Sequence, residues 1–125
     1  MSGDLYLFDS VIIIDHLNGI DAATEFMRAA GEGAAVSAIT RAEVLAGCSA
    51  TDEKDTRAFL DTFEQIPVDN DVAGLAARFR RDHRLKLPDA IQAAAAILHG
   101  MKLATRNTRD FRPERFPFVH VPYEI

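Results

Sequence analysis

Apolar positions in this chain fall into short unbroken runs separated by longer stretches with helical spacing. Leu5-Tyr6-Leu7-Phe8 is a four-residue apolar run closed by Asp9, the pattern of a buried strand. Residues 13–30 read as one helical segment closed by Gly31 and Gly33, and residues 34–37 as a second short strand. A helix is expected over 40–47, and another over 52–65 with Phe59, Leu60 and Phe63 at core spacing. Ile66-Pro67-Val68 suits a short strand whose proline puts it at an edge or a strand start. Helices follow over 72–84 and 89–99, the latter stopped by Gly100, with strands over 101–105 and 118–121. Strands that alternate with helices predict an α/β fold with a parallel sheet covered on both faces. Ligands of such sheets bind beyond the carboxyl ends of the strands, where the strand order reverses.

Size and composition narrow the classes. At 125 residues and 13.8 kDa the chain is expected to form one domain over 1–125, long enough to bury roughly two-thirds of its unfolded surface. The single Cys48 excludes an internal disulfide framework and a zinc site built on several thiolates, and fits a reducing compartment. The apolar run Val11-Ile12-Ile13-Ile14 is far short of the ~20 residues of a membrane span, and no basic segment precedes it. A soluble cytoplasmic protein is expected. His16, His83, His99 and His120 have no metal-ligand spacing and read as surface or core residues.

The net charge of −5 hides an asymmetry. Residues 1–77 carry four basic side chains against fourteen acidic ones, whereas residues 78–115 carry ten basic against four acidic. Eight of those ten are arginine, whose planar fork suits phosphate better than a lysine does. A polyanion can therefore find a basic face on an acidic protein. The plainer reading of the same arginines is a solvated helix face and a solvated loop.

Four acids stand where strands end or helices begin: Asp9, Glu43, Asp89 and Asp110. Each has an ordinary explanation. Asp9 suits a helix cap, Thr40 to Glu43 matches a capping box, and Asp89 after Pro88 suits a first helical turn. Asp110 fits the end of a turn. Their joint occurrence points elsewhere, because a parallel sheet brings all four to one edge together with Ser10 and Asn107. Carboxylates that converge without a cation repel until one takes up a proton, and a hard divalent cation such as Mg²⁺ removes the conflict. A metal held there can activate water and stabilise charge on a phosphodiester.

These residues resemble the PIN-domain ribonucleases, specifically the VapC toxins of bacterial toxin–antitoxin pairs. The matching pieces are Leu7-Phe8-Asp9-Ser10 with Asp15, Val36-Ser37 through Glu43-Val44-Leu45-Ala46-Gly47, and Leu87-Pro88-Asp89-Ala90-Ile91, then Leu103-Ala104-Thr105-Arg106-Asn107 with Asp110-Phe111. The resemblance implies a three-layer α/β/α sandwich around a mostly parallel sheet of about five strands. It further implies an endoribonuclease working through Mg²⁺, with Mn²⁺ as the alternative. Carried over by position, Asp9, Glu43, Asp89 and Asp110 are the catalytic acids, with Asp9 and Asp89 as metal ligands. Ser10, Thr105 and Asn107 are supporting residues, and Asp15 is structural. Arg80, Arg81, Arg84, Arg106 and Arg109 are the candidate RNA-binding residues. The expected partners are RNA, a homodimer mate bound through the N-terminal helices, and a VapB-like antitoxin whose arginine pairs with the acids. Gln92 and the run Ala93 to Ala96 depart from the family pattern, where apolar residues and a threonine are frequent.

Other classes share parts of this pattern. A phosphoacceptor receiver domain needs adjacent acids after the first strand and a lysine after a late one. Only Asp9 ends the first strand, and Lys102 precedes its strand. An aspartyl phosphatase of the haloacid-dehalogenase type needs a second aspartate where Val11 stands. A PIN-like module that binds without turnover keeps the same acids and stays open.

Overall fold

The first apolar run becomes the central strand of a five-stranded parallel sheet. The computed structural model describes residues 4–125. Among them the strands are β1 (Tyr6–Phe8), β2 (Ala35–Ser37), β3 (Glu64–Ile66), β4 (Lys102–Ala104) and β5 (Val119–His120), in the spatial order β3-β2-β1-β4-β5. Every pairing is parallel, with Leu7 opposite Ala35 on one side and Leu103 on the other. The order therefore reverses at β1 and β4, and a crevice opens beyond their carboxyl ends.

The helices are α1 (Ser10–Leu17), α2 (Asp21–Ala30), α3 (Ala38–Gly47), α4 (Glu53–Leu60), α5 (Asn70–His83) and α6 (Leu87–Leu98). Strand residues alternate between the two faces, as the pleat requires. Leu7, Ala35 and Leu103 pack with α5 and α6, while Phe8, Val36 and Ala104 pack with α1, α3 and α4. The expected α/β/α sandwich is thus formed. Phe8 and Phe111 are fully enclosed, each contributing about 1.5–3 kcal/mol over an exposed position. Helix α6 is buried nearly all round: Ala90 and Ala93 to Ala96 have no accessible surface. Their small side chains let α6 lie between the sheet and α5.

Four expectations about elements are corrected. The segment 13–30 is two helices, because Gly19 adopts a left-handed φ of 82° and Ile20 N–H turns back to the Asp15 carbonyl at 3.0 Å. The segment 52–65 stops being helical at Leu60, because residues 64–66 pair with β2 as an edge strand. Gln65 donates from Nε2 to the carbonyls of Leu60 and Phe63, which satisfies that helix end. Pro67 accordingly follows the strand rather than lying within it. The Thr40–Glu43 capping box does not form: Ser37 caps α3 by accepting from Thr40 N–H at 3.2 Å, and Thr40 Oγ1 turns inward to donate to Phe8 O. Among the described residues no helix is long and apolar enough to cross a membrane.

Candidate active site

Asp9 leaves the end of β1 and caps α1, with Oδ1 accepting from Ser10 N–H at 2.9 Å. The ordinary explanation for this residue is therefore true, and it is incomplete. Asp9 is only 6% exposed, and its carboxylate is gripped from two more sides. Thr105 donates from Oγ1 to Oδ2 at 2.7 Å, and Gln92 donates from Nε2 to Oδ1 at 3.3 Å. Burial raises the Asp9 pKa, while the bonds from Thr105, Ser10 and Gln92 pull it back.

The other acids face the same opening. A cavity of about 510 Å³ at the carboxyl edge of the sheet is lined by Asp9, Ser10, Glu43, Asp89, Asn107 and Asp110, with Lys86, Arg106 and Arg109 at its rim. Asp89 lies in the first turn of α6 beside Pro88. Its pKa is pushed up to about 6, first by burial and then by the charges of Asp9, Asp110 and Glu43, with Lys86 opposing. Asp110 accepts from Asn107 Nδ2 at 3.0 Å, and Asn107 N–H donates to Thr105 Oγ1 at 3.0 Å. One chain of bonds thus runs from Asp110 through Asn107 and Thr105 to Asp9. The structure brings together every predicted catalytic and supporting residue.

Among the described residues, no three carboxylates, histidines or cysteines converge closely enough to enclose a bare ion. The donor set still fits Mg²⁺ or Mn²⁺. It consists of hard carboxylate oxygens in mutual repulsion, and Mg²⁺ keeps several waters that span gaps between ligands.

The basic residues divide. Arg106 borders the cavity but commits its guanidinium to Asp15, with Nε 2.6 Å and Nη2 2.9 Å from the two carboxylate oxygens. Tyr123 donates to the same carboxylate at 2.8 Å, so Asp15 holds α1 to the end of β4 and to the segment after β5. Arg80 donates to Leu85 O, and it lines a shallow surface with Arg81 and Arg84. Arg109 lies at the acidic cavity.

Ser10 and Thr105 were expected to support Asp9, and sequence reasoning missed its third donor. Gln92 is buried on α6, accepts from Ser37 Oγ at 2.7 Å, and donates to both Thr40 Oγ1 and Asp9. Its signal was a lone long polar residue in an alanine stretch, one helical turn after Asp89 and so on the same face.

Comparison with known proteins agrees with this geometry. Residues 6–114 match the PIN domain family. Ribonuclease VapC19 of Mycobacterium tuberculosis is 34% identical over 94% of this chain and 98% of its own length. Ribonuclease VapC10 of the same organism is 31% identical over 86% of each chain. Among solved structures, a chain of a toxin–antitoxin complex from Klebsiella pneumoniae superposes with a TM-score of 0.91 at 41% identity. That match covers 96% of this chain and 99% of the other.

Proposed function

The chain belongs to the PIN domain family, and from that premise we propose that it is an endoribonuclease, the toxin of a toxin–antitoxin pair. One observation carries the reading. Four carboxylates from four separate parts of the chain line a single cavity at the switch point of the sheet, where burial, and after it the charges of Asp9, Asp110 and Glu43, push the Asp89 pKa up to about 6. Converging carboxylates destabilise one another in the free protein, and a bound cation relieves that repulsion.

In this reading one nuclease domain spans the described chain, and Asp9, Glu43, Asp89 and Asp110 form its site. Asp9 and Asp89 would hold the Mg²⁺ or Mn²⁺, with Glu43 and Asp110 completing the negative shell. A bound cation would lower the pKa of a water and neutralise charge on the phosphodiester under attack. The protein's own contribution is positioning. Ser10 N–H, Thr105 and Gln92 fix both oxygens of Asp9 before any ligand arrives. Asn107 orients Asp110. A bound cation would favour the ionised form of Asp89. Arg80, Arg81, Arg84 and Arg109 supply the positive surface for RNA. Arg106 is given a structural role instead, since its guanidinium is committed to Asp15.

A VapB-like antitoxin is the partner this reading implies, as the Klebsiella relative comes from a toxin–antitoxin complex. Exposed Ile14 and Leu17, beside a cavity of about 520 Å³ bordered also by Val44 and Phe59, support self-association through the N-terminal helices. Light scattering after size exclusion tests that point.

The nuclease itself is tested by cleavage of total cellular RNA with Mg²⁺ or Mn²⁺ against EDTA and Asp89→Asn controls. Metal-dependent cleavage lost in both controls is expected. Cleavage that persists in Asp89→Asn removes the acidic cavity from the chemistry.

A further inference from the structure

The loop joining β4 to β5 carries an arginine at every third position: Arg106, Arg109, Arg112 and Arg115. Arg106 is spent on Asp15. The other three, with Arg84, line a separate cleft of about 280 Å³ that shares Arg109 and Asp110 with the acidic cavity. Among the described residues, none of these four arginines lies within ion-pair distance of a carboxylate. Asp110, the one acid in the cleft, already accepts from Asn107. Four guanidinium groups therefore share one cleft with a single carboxylate, an excess of positive charge that an anionic ligand relieves.

The cleft is also built rather than incidental. Phe111 and Phe116 are buried and peg the loop beneath its arginines. The Arg115 guanidinium lies 5.6 Å over the Phe116 ring, and its Nη2 is 3.4 Å from His83 Nδ1, which must accept because a guanidinium only donates. Arg84 ends α5 with φ 57° and ψ 30°, a left-handed conformation that favours glycine.

Arginine forks recognise both carboxylates and phosphates. Continuity decides between them here. The cleft shares Arg109 and Asp110 with the acidic cavity, so a strand with one phosphate among the acids can place its next phosphates there. We propose that Arg84, Arg109, Arg112 and Arg115 form a phosphate-binding subsite that holds the RNA strand on the Asp110 side of the bond to be cut. This rests on the nuclease reading above and assigns the path of its substrate.

The test uses the full chain carrying Asp89→Asn, so that RNA is bound and not cut, and a short fluorescein-labelled uridine oligonucleotide as probe. Binding is followed by anisotropy across a KCl series, with thermal melts alongside. Arg112→Gln with Arg115→Gln is expected to weaken binding roughly tenfold and to lower the salt slope by about 1.4, with the melting temperature unchanged. Arg28→Gln with Arg57→Gln removes the same charge from remote helices and is expected to leave the slope alone. Arg84→Gly is expected to weaken binding while the melting temperature holds or rises, an opposition that a structural role for Arg84 does not produce. A slope for the Arg112 and Arg115 pair equal to that of the remote pair overturns the subsite. So does unchanged oligonucleotide binding with lost binding of a polyglutamate peptide, which assigns the cleft to an acidic protein segment. Metal-dependent RNA cleavage by the otherwise unsubstituted chain, measured in parallel, stands or falls independently and separates failure of the subsite from failure of the nuclease reading.

Discussion

Asp9 caps a helix and lines a ligand cavity at once, and its neighbours make both roles compatible. A buried carboxylate is costly unless donors surround it, and three donors do so here. Gln92 is the one whose loss reaches furthest, since it also accepts from Ser37 and donates to Thr40. Gln92→Leu is expected to cost about 2–3 kcal/mol in urea unfolding and to cut RNA cleavage, because it strands buried polar groups and loosens Asp9. Activity and stability equal to wild type would show that Asp9 needs no such support. Asp89 gives the opposite prediction. Its folded pKa of about 6 lies above the ordinary 3.8, so its contribution to stability is present below pH 3.8 and lost as pH rises through 6. Without a cation, Asp89→Asn is therefore expected to raise stability at pH 8. Asp89 is only half-buried and solvent screens it, which leaves about 1 kcal/mol, or roughly 4 °C in melting temperature. Mg²⁺ added to the unsubstituted chain is expected to give a similar rise that fades as pH falls below 6. A melting temperature of Asp89→Asn at or below that of the unsubstituted chain at pH 8 contradicts the repulsion.

Elements were legible where local pattern decided them. The apolar runs marked β1, β2 and β4 to within a residue or two, and the strand–helix alternation gave the parallel sheet. The acids could be read as a site for the same reason, since a parallel sheet carries every strand end to one edge. Boundaries failed where a distant partner overrode the pattern. Residues 64–66 look like a helix end in isolation and become a strand because β2 offers unpaired edge groups. Asn18-Gly19 lies inside a continuous apolar rhythm, and only the left-handed turn at Gly19 shows that the helix must break. The alanines of α6 departed from the family pattern, and the structure gives the reason: the helix is enclosed between the sheet and α5 with no room to spare. Ala94→Leu is expected to destabilise by about 1–3 kcal/mol through overpacking, whereas the same change at exposed Ala73 on α5 should be nearly neutral. Equal denaturation midpoints for the two variants would mean that α6 is less tightly enclosed than its burial indicates.

At the scale of the molecule, a part-buried bidentate ion pair helps join the acidic first half to the basic later segment. Asp15 lies in α1, Arg106 follows β4 and Tyr123 follows β5, so no spacing in the sequence links them. An arginine beside the candidate site reads as a substrate ligand from sequence, and only the fold shows its carboxylate partner. The pair with Arg106, aided by Tyr123, holds the Asp15 pKa below 3.8 against the opposing effect of burial. Its stabilisation is thus complete above pH 3.8 and is lost as pH falls through the lowered value. Arg106→Gln leaves the Asp15 carboxylate, with 7% of its side chain exposed, facing only Tyr123. The expected cost is about 2–3 kcal/mol at pH 7, shrinking toward zero in strong acid where Asp15 is protonated in both proteins. Arg106 is a structural strut in this account, so the salt slope of oligonucleotide binding by the folded variant should match that of the unsubstituted chain. Denaturation at several pH values, with the salt series beside it, separates the two roles. A flattened slope with unchanged stability would return Arg106 to the RNA-binding surface.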